Sequence, residues 1–437
     1  MNKDVRNNSG TLQVKLPSNI GTYERIGPST WKWALLFAYF AMVVDGVDIM
    51  LLSYSLTSLK AEFGLSTFQA GALGSASLAG MGIGGILGGW ACDRFGRVKT
   101  IANSVTFFSI ATCILGFTQS FEQFMALRFI GALGIGALYM ACNTLMAEYV
   151  PTKYRTTVLG TLQTGQTVGY IVATLLAGAI IPEHGWRVLF FITVIPAFIN
   201  IFLQRFVPEP KSWQLTKIDQ IHGHHPEEVV KQKPKSASIY KQIFANLKHR
   251  KMFLLWMTTA FFLQFGYYGI NNWMPSYLET EVHMNFKNMT SYMVGSYTAM
   301  ILGKILAGFL ADKFNRRSVF VFGTIASAIF LPVIIFFNTP DNILYLLITF
   351  GFLYGIPYGV NATYMAETFS TDVRGTAIGG AYNIGRVGAA IAPATIGWLA
   401  SGGTFAMAFI VMGAAYFIAG VLPGLFIKDR QYDPQKQ

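Results

Sequence analysis

Charge is scarce in this chain: only 12% of its 437 residues are Asp, Glu, Lys or Arg. A soluble domain normally carries about a quarter, so an ordinary soluble domain is excluded. Acidic residues are the rarer sign, 21 against 33 basic ones, for a net charge of +12. Cysteine is nearly absent. Cys92, Cys113 and Cys142 lie in or beside apolar runs without paired spacing, which excludes a disulfide framework and a cysteine zinc site. They read as small buried hydrophobes. No G-x-x-x-x-G-K-[ST] occurs, so nothing points to ATP as a driving force. The first residues lack the apolar core and small-residue cleavage site of a signal peptide. Residues 1–31 are therefore expected to form a cytosolic tail.

What the chain has is hydrophobic length. Apolar residues make up 53% of it, in recurring runs of about 20, enough to cross a ~30 Å hydrocarbon core. The runs predict twelve helical spans, near 32–56, 68–92, 100–118, 122–148, 156–182 and 187–206, then 252–278, 290–311, 318–337, 342–367, 374–401 and 404–427. The expected fold is an all-α membrane protein of two six-helix bundles, 32–206 and 251–427, with a cytosolic linker at 207–250 and a cytosolic tail at 428–437. The linker holds "HGHHPEEVVKQKPK". Its His222, His224 and His225 have no carboxylate or cysteine partner at ligand spacing, so a solvated loop is the expected state and no metal is assigned.

Basic residues gather in alternate loops: Arg94, Arg97 and Lys99; Lys153 and Arg155; Lys313, Arg316 and Arg317; and the segment 211–251. The other loops carry few, such as Lys60, Arg187 and Lys287. This is the positive-inside asymmetry of a bacterial inner membrane protein with both termini in the cytosol. It explains the net charge without nucleic acid, for which no basic patch interleaved with exposed aromatics is present.

The two halves repeat. "GGWACDRFGRVKT" follows span 2 and "AGFLADKFNRRSV" follows span 8; "LMAEYVPTKYRTT" follows span 4 and "YMAETFSTDVRGT" follows span 10. Asp93 matches Asp312, Glu148 matches Glu367 and Arg155 matches Arg374, all at an offset of 219. One constant offset in two separate loops indicates a duplicated six-helix unit, and such repeats place a site at their interface near the bilayer midplane.

These residues resemble the major facilitator superfamily. Gly89-x-x-x-Asp93-Arg94-x-Gly96-Arg97-x-Lys99 is similar to its signature after the second helix, and Arg128 with Gly131, Gly134 and Gly136 to its arginine–glycine motif. The second signature copy has Asn315 in place of Gly96, which reads as decay of the repeat. "DGVD" in span 1, "GYYGINNWMPSYL" in span 7 and "NIGRVGAAIAP" in span 11 resemble the aromatic acid:proton symporters, near benzoate, hydroxybenzoate, niacin and muconate carriers. "VPEPKSW" after span 6 is similar to a loop of the wider sugar-porter-like branch. The resemblance implies a proton-coupled symporter, not an enzyme, that imports a small organic acid by rocking its two halves, most simply an aromatic carboxylate. A non-aromatic carboxylate such as muconate, nicotinate, or a proton-driven exporter are the alternatives. Protons, the acid and the bilayer are its expected partners, without a cofactor, and it is expected to act as a monomer.

Ionisable residues inside spans are functional candidates because their burial is costly. Asp45 and Asp48 lie three residues apart in span 1, about 60° around a helix. They can face one cavity, where like charge and burial favour proton uptake; one could instead pair structurally with a cation. The glycine between them, Gly46, would let the helix adjust. Arg386, amid small residues in span 11, can hold a carboxylate bidentately, and the resemblance implies substrate binding there; pairing with an acid in span 1 is the competing reading. The family motif gives Arg128 a part in proton transfer, or a structural ion pair. The remaining pocket candidates are Tyr139, Asn143, Gln163, Gln166, Tyr267, Tyr268, Asn271, Asn272, Trp273, Tyr354, Tyr358, Asn361, Tyr382 and Asn383, which offer rings for stacking and amides for hydrogen bonds. Asp93, Arg94, Arg97, Glu148, Arg155, Asp312, Arg316, Glu367 and Arg374 are the gating candidates, expected to form charge networks that close the cytosolic side.

Overall fold

The computed structural model describes residues 30–150, 155–210, 213, 214, 236–369 and 373–427. Residues 1–29, the histidine run and the tail after 427 lie outside the described residues. The first half comprises α1 (Thr30–Phe63), α2 (Thr67–Phe95), α3 (Arg97–Leu115), α4 (Phe121–Tyr149), α5 (Arg155–Ile192) and α6 (Ile195–Gln204). A short helix α7 (Ser236–Ala245) precedes the second half: α8 (Leu247–Thr280), α9 (Phe286–Lys313), α10 (Arg316–Phe337), α11 (Ile343–Thr368), α12 (Arg374–Ala400) and α13 (Ala406–Phe426). The predicted start of the second bundle at 251 thus falls inside α8. Gly185, at φ 74°, breaks α5 between the predicted fifth and sixth spans. Ten described stretches are long and apolar enough to span a membrane, and one of them, Val158–Gln204, holds both of those spans.

Polar loop residues start the helices by accepting from otherwise orphaned N–H groups. Ser66 and Gln69 form a reciprocal capping box on α2. Ser120, Asn246 and Asn285 cap α4, α8 and α9. The start of α3 is capped from a distance. Arg97, Val98 and Lys99 donate their backbone N–H groups to the Glu209 carboxylate at 2.7, 3.1 and 2.9 Å. Burial lifts that carboxyl above the usual range, with the three donors opposing. A Cβ on Gly96 would lie 2.4 Å from Glu209 Oε1, and Gly96 has φ 103°, so only glycine admits this cap. In the second half Asn315 caps α10 itself, accepting from Ser318 N–H at 2.6 Å. Asn315 is therefore a substitute cap rather than decay.

The repeat persists in packing. A Cβ on Gly84 of α2 would lie 2.0 Å from the Leu133 carbonyl of α4, and one on Gly303 of α9 would lie 2.1 Å from the Phe352 carbonyl of α11. Both residues of each pair correspond at the offset of 219. Small residues permit such approach where lipid offers no hydrophobic drive for helix association. Gly46 acts the same way: its Cβ would lie 2.1 Å from the Gln166 carbonyl of α5. It is a contact point between α1 and α5, which corrects its reading as a flexible joint.

The bundles meet through α2 with α12, α5 with α9 and α1 with α8. Their closest approaches lie towards the Thr67 end of α2. A Cβ on Gly71 would lie 2.2 Å from the Pro393 carbonyl, and one on Gly397 would lie 2.5 Å from the Thr67 carbonyl. Ser75 Oγ accepts from the Ala394 N–H of the other bundle at 3.1 Å. The charged loops lie at the opposite end. There Arg97 Nη2 pairs with Asp93 at 3.4 Å and Glu148 at 2.9 Å, and its Nη1 donates to the Cys92 carbonyl at 2.8 Å. The second half repeats this: Arg316 pairs with Asp312 at 2.8 Å and Glu367 at 3.3 Å, and donates to the Ala311 carbonyl at 2.9 Å. Both networks lie within one bundle, so in this conformation they brace each half instead of tying the halves together. Arg374 Nε donates to the Phe369 carbonyl, and Arg94 lies over the Trp90 and Phe95 rings of its own helix. The side chain of Arg155 is outside the described residues.

Candidate substrate and proton site

The two aspartates of α1 have different surroundings, although both are buried, at 1% and 2% exposure. Asp48 is fully paired. Arg128 Nη1 donates to its Oδ2 at 2.7 Å, Arg128 Nη2 to its backbone carbonyl at 2.9 Å, and Thr112 Oγ1 to its Oδ1 at 2.5 Å. Arg128 Nε completes the knot by donating to Ser77 Oγ at 2.9 Å. Asp45 accepts one hydrogen bond, from Gln166 Nε2 at 3.0 Å, and its buried Oδ1 has no partner. Among the described residues no cation reaches Asp45 within ion-pair distance. The expectation of one cavity shared by both acids is thus corrected: α1 sends Asp48 into α3 and α4, and Asp45 towards α5.

Removing one member of the Asp48–Arg128 pair strands a buried charge, which costs about 3–5 kcal/mol. Asp48→Ala or Arg128→Ala should therefore markedly lower the thermal unfolding midpoint of the detergent-purified protein. The double variant Asp48→Leu with Arg128→Met should recover much of the loss, and no recovery would show that the pair is not an isolated electrostatic unit.

Arg386 on α12 faces the first bundle, half-buried. Its guanidinium carbon lies 5.4 Å from the Tyr139 ring centre and 6.0 Å from that of Tyr382. Its buried Nη1 has no hydrogen-bond acceptor, and no carboxylate pairs with it among the described residues. The competing reading, a pair with an acid of span 1, is absent from this conformation. Asp45, Tyr139, Tyr268 and Tyr382 all lie within electrostatic reach of the guanidinium. The result is a central cluster between the bundles that holds a cation without a counter-ion near an acid without a cation.

The other pocket candidates divide. Gln163 bonds Tyr139 and donates to Asn143 Oδ1 at 3.0 Å, which ties α4 to α5 beside Arg386. Tyr267 stacks on Tyr354, with centroids 5.5 Å apart and planes within 2°, and donates its hydroxyl to Tyr170 across the bundle interface at 3.2 Å. Asn271 donates to the Tyr354 hydroxyl at 2.7 Å and holds that stack. Tyr358 bonds the Tyr416 hydroxyl at 2.6 Å. Tyr268, Asn271 and Asn272 line a small cavity with Ser53, Ser77 and Arg128, on the Asp48 side. Trp273 is fully buried and donates to the Pro393 carbonyl at 2.9 Å; it packs α8 onto α12 and is no pocket wall. Asn361 is half-buried, and Asn383 is exposed with its amide donating to Gly379 of its own helix.

Sequence reasoning missed Lys304. It lies in "MILGKILAGF", inside an apolar run, and the rule that singled out Asp45 applies to it equally. Lys304 Nζ donates to Thr167 Oγ1 of the opposite bundle at 2.8 Å. Among the described residues it has no acidic partner.

The profile described as Major Facilitator Superfamily matches residues 38–301 and 287–437. The chain belongs to that superfamily. It is 67% identical over 412 residues to the cis,cis-muconate transport protein of Acinetobacter baylyi, a match covering 94% of this chain and 98% of that protein. It is 27% identical to the benzoate transport protein of the same organism, over 86% of this chain and 85% of the relative. The fold is shared with the crystal structure of a D-xylose-proton symporter, at a TM-score of 0.74 and 20% identity, over 91% of this chain and 98% of that one. The chain is a multi-pass membrane transporter, not an enzyme.

Proposed function

We propose that this superfamily member imports a small organic acid together with protons across a bacterial inner membrane, with cis,cis-muconate the first substrate to test. Arg386 receives a substrate carboxylate, Tyr139 and Tyr382 flank it, and Asp45 carries the proton. Asp48 with Arg128 fixes the shape of α1 and takes no part in proton exchange. The observation that carries this reading is the pair of unmatched groups within electrostatic reach of each other: a guanidinium with a buried N–H lacking an acceptor, and a carboxyl with one bare oxygen. A substrate anion and a proton complete both. The 67% identity to a muconate transport protein favours a muconate-like acid over an aromatic one.

The charged loops lie in the cytosol by the positive-inside rule, which makes this conformation closed to the outside and places both termini inside. Transport then proceeds by the bundles parting at Gly71, Thr67 and Gly397 and closing at the Arg97 and Arg316 end, in a monomer. Uptake of labelled cis,cis-muconate, benzoate and nicotinate into proteoliposomes under an inward pH gradient tests the reading. Muconate should accumulate, and collapse of the gradient should abolish accumulation. If no carboxylate of the panel enters, the proposal fails.

A further inference from the structure

We infer that Lys304 is a second carboxylate-binding cation, and that Lys304 and Arg386 together select a dicarboxylate over a monocarboxylate. This rests on the function proposed above and names the substrate class it serves.

The argument comes from the internal repeat. At the offset of 219, Lys304 corresponds to Gly85, and Arg386 corresponds to Thr167. These four residues form two close approaches, one at each symmetry-related junction of the bundles. Where α2 meets α12, Arg386 Nη1 lies 3.5 Å from the position a Gly85 Cβ would take. Where α5 meets α9, Lys304 Nζ reaches Thr167 Oγ1 at 2.8 Å. The same pair of positions has therefore been filled twice, with the cation on opposite members. Pseudo-symmetry puts the two cations at matching depth at the two opposite junctions between the bundles.

Among the described residues neither cation has an ion-pair partner. The described ion pairs leave both without an acid, and a lone lysine or arginine at this depth is costly without a counter-charge. A polar path joins them across the bundle interface. Arg386 lies over Tyr139, Tyr139 and Gln163 bond, and Thr167 stands one helical turn beyond Gln163, beside Lys304. A ligand with one carboxylate satisfies one end of that arrangement. A rigid acid with a carboxylate at each end satisfies both, and Lys304 gives up only a neutral hydroxyl to receive it.

The test compares cis,cis-muconate with its monomethyl ester, which keeps the carbon skeleton and removes one charge. Binding to the purified full chain is measured by calorimetry, in the wild type and in Lys304→Gln and Lys304→Arg. Loss of one charge-assisted contact should weaken muconate binding about 10- to 100-fold in Lys304→Gln. Half-ester binding should change less than about threefold, which also shows that the variant is folded. Lys304→Arg should hold muconate binding near the wild-type value. Equal losses for both ligands, or muconate binding unchanged in Lys304→Gln, would overturn the assignment. Failure of the transport reading is visible separately: a wild type that neither binds nor accumulates any carboxylate overturns it, and this inference with it.

Discussion

Arg386→Ala is expected to weaken binding of the transported acid by about 2–4 kcal/mol, roughly 30- to 1,000-fold. The size follows from the state of the guanidinium. It is held between Tyr139 and Tyr382 with a buried N–H lacking an acceptor, so no internal pair has to break before an anion binds. A bidentate guanidinium–carboxylate contact adds planar geometry that lysine does not reproduce. Arg386→Lys should therefore recover only part of the loss. The check is a comparison of the acid with its uncharged amide in each variant. The amide should lose little on Arg386→Ala, because it never received the charge-assisted bond. Equal losses for acid and amide would assign Arg386 to structure instead.

Asp45→Asn should abolish accumulation against a gradient while leaving exchange of substrate across the membrane. Asparagine preserves shape and can still accept from Gln166 Nε2, the one hydrogen bond Asp45 makes. It cannot load and release a proton. A pH unit of gradient is worth about 1.4 kcal/mol per proton, up to tenfold accumulation. Wild-type proteoliposomes should concentrate the acid accordingly, and the variant should reach equal concentrations on both sides. Counterflow, in which unlabelled substrate inside drives entry of label, should persist. Full concentrative uptake by Asp45→Asn would remove Asp45 as the coupling group. The matching change at Asp48 should read out as lost stability, since Asp48 sits under Arg128 and Thr112.

Much of the architecture is legible along the chain because a membrane leaves few choices. Backbone groups in hydrocarbon must bond within their own segment, so each apolar run becomes a helix. The repeat is legible too: the offset read from the loops recurs in Arg97 with Glu148 and Arg316 with Glu367. Asp45, Asp48, Arg128 and Arg386 stand out because charge inside such runs is rare. Lys304 is open to the same reasoning, but no motif surrounds it.

The sequence by itself therefore determined the superfamily, the duplicated helical plan and the short set of charges in the membrane. Only the tertiary structure decided how those charges divide. Asp45 and Asp48 have the same chemistry and near-identical positions on α1, yet one meets Arg128 and the other an amide. Gly46 looks like a hinge until α5 is found against it, and Asn315 looks like decay until it is seen capping α10. Asn315 is a local contact three residues long, but the aspartates and Gly46 depend on which neighbour another helix brings within about 3 Å, the reach of a hydrogen bond. Periodicity along one helix specifies which face is buried, but the residue that fills the space opposite comes from a helix distant in the chain.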